Sequence, residues 1–261
     1  MIFKKLRYIN LDAYNAPDMF IDTYKFDFNA RFICNYLSKE VRKLNIAGDG
    51  TYKMIGVKIN NNLSDCRLTY GSDNPDVLSV LLPVSEQEQR WYNNTTDIIE
   101  RYEFYLGLLE KGYILASDFK TIPINSLLQL HDKFRENNYK NEWVWKKKLI
   151  RDYGIYIIFK CYFTTFDFRL EMEVYDTKQT VLLTKGIVLQ TGPDELFFDK
   201  EFRKIDVFDS KLIITDFLNK KNFEFDLHQL SEGVFNVKKR VDEIVYFPPI
   251  NHIELIERIT W

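Results

Sequence analysis

Two aspartates and a lysine in the second half of the chain have the spacing of a metal-dependent nuclease site. Asp194 follows a proline, and Asp209 stands two residues before Lys211 in the run Asp-Ser-Lys. In such nucleases two carboxylates hold Mg²⁺ and the lysine steadies the attacking hydroxide. The same run lies between two apolar segments, where Asp and Ser are common hairpin-turn residues. We therefore interpret it first as a turn, and we keep a nuclease or phosphodiesterase using Asp194, Asp209 and Lys211 as the alternative.

Other residue types that carry catalysis or bind metals are few and scattered. The three histidines are His131, His228 and His252, and none lies within five residues of another histidine or of a cysteine. Zinc sites usually contain such close pairs. Phosphate-binding loops need closely spaced glycines, followed in one class by Lys-Ser or Lys-Thr, and the glycines here match neither pattern. We therefore expect no metal ion, no cofactor and no enzymatic activity.

The composition is that of an ordinary soluble globular protein. The 261 residues are 46% hydrophobic and 28% charged, and Lys+Arg 36 against Asp+Glu 38 gives a net charge of −2. Because this balance supplies no basic excess for a phosphate backbone, we expect no nucleic-acid partner. Phe 21 and Tyr 16 are high counts, and their AT-rich codons indicate an AT-rich, bacterial genome.

We expect neither export by a standard signal peptide nor a membrane-spanning helix. No apolar core of 7–15 residues, the usual length in a signal peptide, follows the basic residues near the N-terminus, and no apolar run reaches 18 residues. The three cysteines, Cys34, Cys66 and Cys161, are odd in number and widely spaced. Free thiols in a reducing compartment fit this pattern better than a disulfide framework does. We therefore expect a cytoplasmic protein.

The first half reads as mixed helix and strand. Apolar residues at helical spacing predict a helix from about Asp27 to Leu44 that ends before a turn at Gly48–Gly50. A capping-box pattern, Ser85 with Glu88, opens a helical stretch that ends near Gly112, and a further short helix follows around His131. The predicted strands between them are Tyr52–Ile59, Cys66–Tyr70 and Val77–Val84.

From Trp143 onward the apolar residues alternate with polar ones. The clearest run is Phe166–Val174, where alternation places the apolar side chains on one sheet face and Arg169, Glu171 and Glu173 on a face open to solvent. Strands about ten residues apart with short turns predict an antiparallel meander. The other predicted strands are Trp143–Ile150, Gly154–Phe163, Val181–Leu189, Ile205–Phe208, Leu212–Phe217, Phe223–Leu227, Ile244–Phe247 and Ile253–Ile259.

These elements predict an α+β fold. A helix-containing N-terminal half, residues 1–140, packs against a C-terminal antiparallel β-meander, residues 141–261, arranged as a sandwich, barrel or roll. The two halves are either two domains or one continuous domain. No motif in the chain is specific enough to identify a family.

The segment from Asp194 to Phe202 is the stretch most typical of a protein interface, because exposed aromatic residues beside carboxylates suit a basic partner. Its candidate contact residues are Asp194, Glu195, Phe197, Phe198, Asp199 and Glu201, and we expect Asp194 and Glu195 to be exposed. An ordinary strand or helical turn with buried phenylalanines is the alternative interpretation of this segment.

A cytoplasmic bacterial protein without catalytic motifs resembles, in general character, the immunity proteins that neutralise polymorphic or contact-dependent toxins. The resemblance implies stoichiometric binding of a protein partner, here a basic toxin domain, and the oligomeric state stays open. Our first hypothesis is therefore a non-enzymatic protein-binding protein. The metal-dependent nuclease is the second hypothesis, and a small-ligand-binding β-barrel lined by Phe and Tyr is the third.

The cysteine pattern makes a direct prediction. The purified chain, denatured without reductant, should react with a thiol reagent at three positions, because Cys34, Cys66 and Cys161 are expected to be reduced. A second sample treated with reductant and desalted is the control and should give the same count. Fewer thiols in the untreated sample would indicate a disulfide and a different compartment.

Overall fold

The computed structural model describes residues 4–13, 21–61, 67–70 and 76–240. The chain divides into two compact units, Met1–Asn141 and Glu142–Trp261. Most helices lie in the first unit and antiparallel meanders fill the second, so the predicted α+β class is confirmed. The assignment of the halves as one domain or two stays a prediction. Among the described residues, no helix combines the length and apolar character that crossing a bilayer requires.

The first unit is built on a mixed sheet. Strands β2, β4 and β6 pair in parallel, β5 joins β6 in antiparallel orientation, and β1 pairs with β3 separately. Parallel neighbours need a crossover connection, which α1 provides between β2 and β4. The elements are β1 (Lys4–Lys5), β2 (Tyr8–Ala13), α1 (Thr23–Leu44), β3 (Ala47–Gly50), β4 (Met54–Asn60), β5 (Arg67–Tyr70), β6 (Val77–Pro83), α2 (Glu86–Asn94), α3 (Ile98–Ser117) and α4 (Ile124–Glu136).

Side chains of α1 satisfy backbone groups of β2, the end strand of this sheet. Ser38 Oγ accepts a hydrogen bond from the Ile9 amide at 2.9 Å and lies 3.2 Å from the Ile9 carbonyl oxygen, to which it donates. Asp27 Oδ1 accepts from the Ala13 amide at 2.7 Å. Unpaired groups on an end strand invite pairing with other chains, and these contacts remove some of that tendency.

Three predictions for this unit need correction. The helix begins at Thr23 rather than near Asp27, because the Asp22 side chain caps it by accepting from the Lys25 amide. The predicted turn at Gly48–Gly50 belongs instead to β3. The stretch opened by the Ser85–Glu88 capping box, which is present, is two helices, because Asp97 caps a new start by accepting from the Ile99 amide at 2.8 Å.

The second unit consists largely of two antiparallel meanders. One has the order β10-β9-β8-β7 and the other β11-β12-β13-β14, and neither closes on itself among the described strands. Two predicted strands, Ile244–Phe247 and Ile253–Ile259, lie outside the described residues. The elements are β7 (Asn141–Ile150), a 3-10 turn (Arg151–Tyr153), β8 (Ile155–Phe163), β9 (Phe168–Asp176), β10 (Leu182–Thr191), α5 (Glu195–Glu201), β11 (Lys204–Phe208), β12 (Lys211–Thr215), β13 (Lys221–Asp226), α6 (Leu227–Ser231) and β14 (Lys238–Lys239).

The alternation along β9 is confirmed, but its charged face is not open to solvent. Phe168 and the three apolar residues at alternate positions after it are fully buried on one face, as predicted. On the other face Glu171 and Glu173 are only 7% and 6% exposed. Lys185 Nζ lies 2.8 Å from a Glu171 oxygen, and Lys160 Nζ lies 2.7 Å from a Glu173 oxygen. Long side chains of the neighbouring strands therefore cover the carboxylates.

This arrangement keeps Glu173 ionised. Burial alone would raise the pKa of the Glu173 carboxyl, but hydrogen bonds from Lys160 and Tyr175 together with the lysine charges hold the pKa below its usual value. Tyr175 donates its hydroxyl to Glu173 at 2.8 Å. The two glutamates and their partners therefore form a network that belongs to the sheet.

The core of the first unit contains an uncharged histidine. His131 of α4 is completely buried, its ring lies 5.6 Å from that of Tyr113, and neither ring nitrogen has a hydrogen-bond partner among the described residues. Burial, helped by the charge of Arg135, lowers the pKa of His131 to about 4, and the charges of Asp132 and Glu103 oppose this shift. His131 therefore packs in the core as a neutral side chain of α4.

The low pKa of His131 predicts acid sensitivity. In the unfolded chain the imidazole takes up a proton near pH 6.5, whereas in the folded chain it does so only near pH 4. The free energy of unfolding should therefore fall as the pH falls between these values, by about 2 kcal/mol from pH 7 to pH 5. His131→Leu should remove this loss while stability at pH 7 stays equal or rises, which urea unfolding at several pH values would measure.

A second buried group must be separated from this effect. Burial raises the pKa of Asp27 to about 6, and the nearby charge of Asp12 adds to the rise. As the pH falls, Asp27 takes up its proton at a higher pH in the folded chain than in the unfolded chain. Its contribution to the free energy of unfolding therefore grows below pH 6, opposite in sign to the contribution of His131. The difference between wild type and His131→Leu cancels the Asp27 contribution, and parallel pH curves for the two proteins would contradict the assignment.

Candidate partner-binding surface

The segment predicted as an interface folds into the short helix α5. Asp194 caps it in an extended conformation, and its side chain accepts from the Leu196 amide at 2.9 Å. Glu195 stands in the first turn and Lys200 in the last, the arrangement that the helix dipole favours. The sequence therefore starts a helix here, which agrees with the helical-turn interpretation rather than the strand.

One face of α5 is held by aromatic stacking. The Phe198 ring stacks on Phe168 of β9 with centroids 3.7 Å apart and planes 10° from parallel, and it meets Phe163 edge-on at 5.1 Å. Phe202, one turn later, meets Trp145 edge-on at 4.8 Å. Phe198 is fully buried and Phe202 nearly so. These two phenylalanines fix the helix to the sheet.

The six predicted contact residues therefore divide into two groups. Phe198 lies in the core, and Asp194 is 7% exposed, so the expectation that Asp194 is exposed was wrong. Glu195 and Glu201 are half-buried, and Glu201 accepts a hydrogen bond from Asn222 at 2.9 Å. Phe197 is 45% exposed and Asp199 is exposed. Part of the predicted set thus faces solvent, and part holds the helix in place.

The turn between β12 and β13 lies against the end of α5. The Phe217 amide donates to the Lys200 carbonyl at 3.0 Å, and Arg203 donates to the Phe217 carbonyl at 3.0 Å. Asp216 shapes the turn by accepting from the Leu218 amide at 2.9 Å. Phe217 is 47% exposed and Leu218 is 56% exposed. The predicted strand Leu212–Phe217 is therefore shorter, and its last residue lies on the surface.

The turn between β8 and β9 brings in a further exposed ring. Phe166 stands between Phe163 and Phe168, the two residues that contact Phe198, and it is 48% exposed. Thr164 and Asp167 close this turn through mutual hydrogen bonds. We call the exposed side chains at this end of the unit the α5 patch: Phe166, Leu196, Phe197, Phe217 and Leu218.

Only Phe197 of the α5 patch was among the predicted contact residues. Phe166 and Phe217 looked like strand residues because they continue an apolar run, and only the turns formed by Asp167 and Asp216 place them outside the strands. The sequence does contain a usable indication, since Asp216 and Asn219 enclose Phe217 and Leu218 as turn residues. Leu196 follows the cap and faces away from Phe198, which could be inferred only once the helix was known.

The three residues of the alternative nuclease interpretation each have a local structural contact. Asp194 caps α5, and Asp209 and Ser210 form the β11–β12 turn with φ values of 47° and 59°. Lys211 Nζ lies 3.0 Å from a Glu224 carboxylate oxygen. Within the described ranges, no group of three or more His, Cys, Asp or Glu side chains could hold a metal ion. The turn interpretation of Asp209 accounts for this geometry.

The helix cap leads to a prediction about stability. Asp194→Ala removes the acceptor for the Leu196 amide and should lower the free energy of unfolding by about 1 kcal/mol. Asp199→Ala, in the same helix but exposed, should change it by less than ~0.5 kcal/mol. Urea denaturation of both variants measures the difference. Equal effects would mean that Asp194 does not cap α5.

Comparison with protein-family models, with curated proteins and with solved structures finds no match to this chain. The case for a function therefore depends on the chemistry of the surface itself. That surface offers exposed aromatic and aliphatic side chains, anchored turns on both sides of a short helix, and carboxylates close by.

Proposed function

We propose that this protein is a non-enzymatic binding protein whose α5 patch docks on a basic protein partner. The observation that carries the proposal is that five large apolar side chains, each between 45% and 59% exposed, belong to α5, to the β12–β13 turn bonded to its end, and to the β8–β9 turn whose flanking residues contact Phe198. Exposed apolar groups concentrated in one place mark interaction sites more often than isolated ones do. Aromatic anchors of this kind supply most of the binding energy in protein interfaces.

The charges near the α5 patch favour a basic partner. The segment from Asp194 to Phe202 contains four carboxylates against one lysine, Lys200. Of the four, Asp199 is exposed, Glu195 and Glu201 are half-buried, and Asp194 is buried. Complementary charge mainly accelerates association and excludes wrong partners, while the apolar anchors set the dissociation rate.

Within this class, we propose an immunity-type role in the bacterial cytoplasm. The protein would bind a basic toxin domain stoichiometrically and either cover its active site or block the path of its substrate. Such a role requires a rigid binding surface and no chemistry of its own. The Phe168–Phe198 stack and the hydrogen bonds that hold both neighbouring turns support that rigidity.

The proposal predicts that one exposed phenylalanine matters for binding and another does not. Phe197→Ser should weaken binding by about 2 kcal/mol, roughly thirtyfold in Kd, because it removes an anchor from the patch. Phe208→Ser is the matched control: Phe208 is 73% exposed and lies at the β11–β12 turn, outside the patch. Both variants should melt within a few degrees of wild type.

The measurement begins with the full chain as bait in a lysate of the source bacterium, followed by association kinetics with the captured protein at two salt concentrations. Asp199→Lys should slow association, and added salt should reduce the difference from wild type. Equal loss in both serine variants, or an association rate that ignores salt, would contradict the proposal. Nucleic-acid cleavage that needs Mg²⁺ and disappears in Asp209→Ala would replace it with the nuclease hypothesis.

A further inference from the structure

A groove in the first unit lies between α2 and α3 and has a volume of about 650 Å³. Its apolar lining comes from Trp91 of α2 and from Phe104 and Leu108 of α3, and Gly107 forms part of the floor. Small-molecule sites typically measure ~300–1,000 Å³ and have mainly apolar and aromatic walls. The groove therefore has the volume of a ligand site and a partly aromatic lining, and it is open to solvent on one side.

Gly107 is the feature that packing within the chain does not explain. A Cβ atom added at Gly107 would meet no atom of the described residues within 4 Å, whereas one added at Gly112 in the same helix would lie 2.4 Å from a Val57 methyl carbon. Gly112 thus allows close approach of α3 to β4. Glycine is a poor helix former, so Gly107 weakens the middle of α3 and gains no packing in return. What it does provide is an open floor in the groove.

The walls and ends of the groove define what fits. The rings of Trp91 and Phe104 lie 5.3 Å apart at 48°, and Trp91 is 40% exposed, so two aromatic surfaces meet at an angle. Glu88 accepts from Lys111 at 3.1 Å and from the Ser85 amide at 2.9 Å. Because these hydrogen bonds already satisfy the Glu88 carboxylate, this end of the groove does not require a charged ligand.

The other end of the groove also contains a carboxylate that is hydrogen-bonded within the protein. Glu103 accepts from the guanidinium of Arg135 at 2.9 Å and from the Tyr139 hydroxyl at 2.6 Å. The hydrogen bonds from Arg135, the hydrogen bond from Tyr139 and the charge of Arg135 lower the pKa of Glu103, although burial alone would raise it. The negative charge of Glu103 is therefore balanced by Arg135. With both carboxylates satisfied, the groove favours an uncharged apolar occupant that can stack on the aromatic walls.

We propose that this groove binds a small, neutral, planar aromatic molecule, stacked on Trp91 and Phe104 above Gly107. The site lies in the first unit and does not depend on the α5 patch. Residues of α2 and α3 supply all of its apolar contacts, so the ligand would bind across these two helices.

Indole and 2-naphthol are suitable probes, and ligand-detected saturation-transfer NMR and calorimetric titration on the full chain measure their binding. Gly107→Leu fills the floor and should weaken binding at least tenfold. Gly107→Ala should keep binding within about threefold and raise the melting temperature by about 2–4 °C, because alanine forms helix better. Trp91→Leu removes one stacking surface and should also weaken binding at least tenfold.

The variant Phe197→Ser tests whether the groove is independent of the α5 patch, and it should leave probe binding unchanged. Absence of binding by either probe at millimolar concentration would overturn the ligand site, as would equal binding by wild type and Gly107→Leu. If the probes do not bind but Gly107→Leu loses affinity for a captured protein partner, the groove accepts a side chain of that partner and the small-molecule proposal is wrong.

Discussion

The stack between Phe168 and Phe198 is the contact on which the candidate surface depends. With centroids 3.7 Å apart and nearly parallel rings, it joins the first residue of β9 to a helix of only seven residues. A helix of that length is not stable alone in water, so it forms because its buried face packs. Because Phe198 faces inward, Leu196 and Phe197 must face outward. The same contact that stabilises α5 therefore exposes the side chains that a partner would bind.

Much of the second unit could be predicted from the sequence because its pairings are local. Each strand of the meanders pairs with its sequence neighbour, so alternation and turn spacing were sufficient to locate β7 to β13, whereas the two-residue β14 was not predicted. The first unit was harder. Strand β2 does alternate, with Ile9 and Leu11 buried and Asn10 and Asp12 on the other face, but it has only six residues and pairs in parallel with β4, more than forty residues away. Its hydrogen bonds to Ser38 and Asp27 of α1 have no local pattern.

Burial of charge was the other property that the sequence did not reveal. Alternation correctly placed Glu171 on the face opposite the core. We had inferred from this placement that Glu171 would be exposed, and it is not. Exposure depends on what the neighbouring strands place beside it, and here the registers set Lys160 and Lys185 next to the glutamates. In the same way, the sequence around Asp194 predicted a segment of carboxylates and aromatic residues. It did not show that Asp194 caps the helix and that Phe198 is buried, while Phe197 is exposed.

The two sets of carboxylates in the second unit have different consequences for a partner. Glu171 and Glu173 lie within about 3 Å of lysine ammonium groups that belong to the same sheet, so their field is largely cancelled before it reaches solvent. Asp199 lies on α5, two residues from Phe197, and is exposed. A chain whose net charge is only −2 has little long-range attraction to offer. If the proposed basic partner exists, its steering must therefore come from local charge, and the exposed Asp199 on α5 is the carboxylate to test for it.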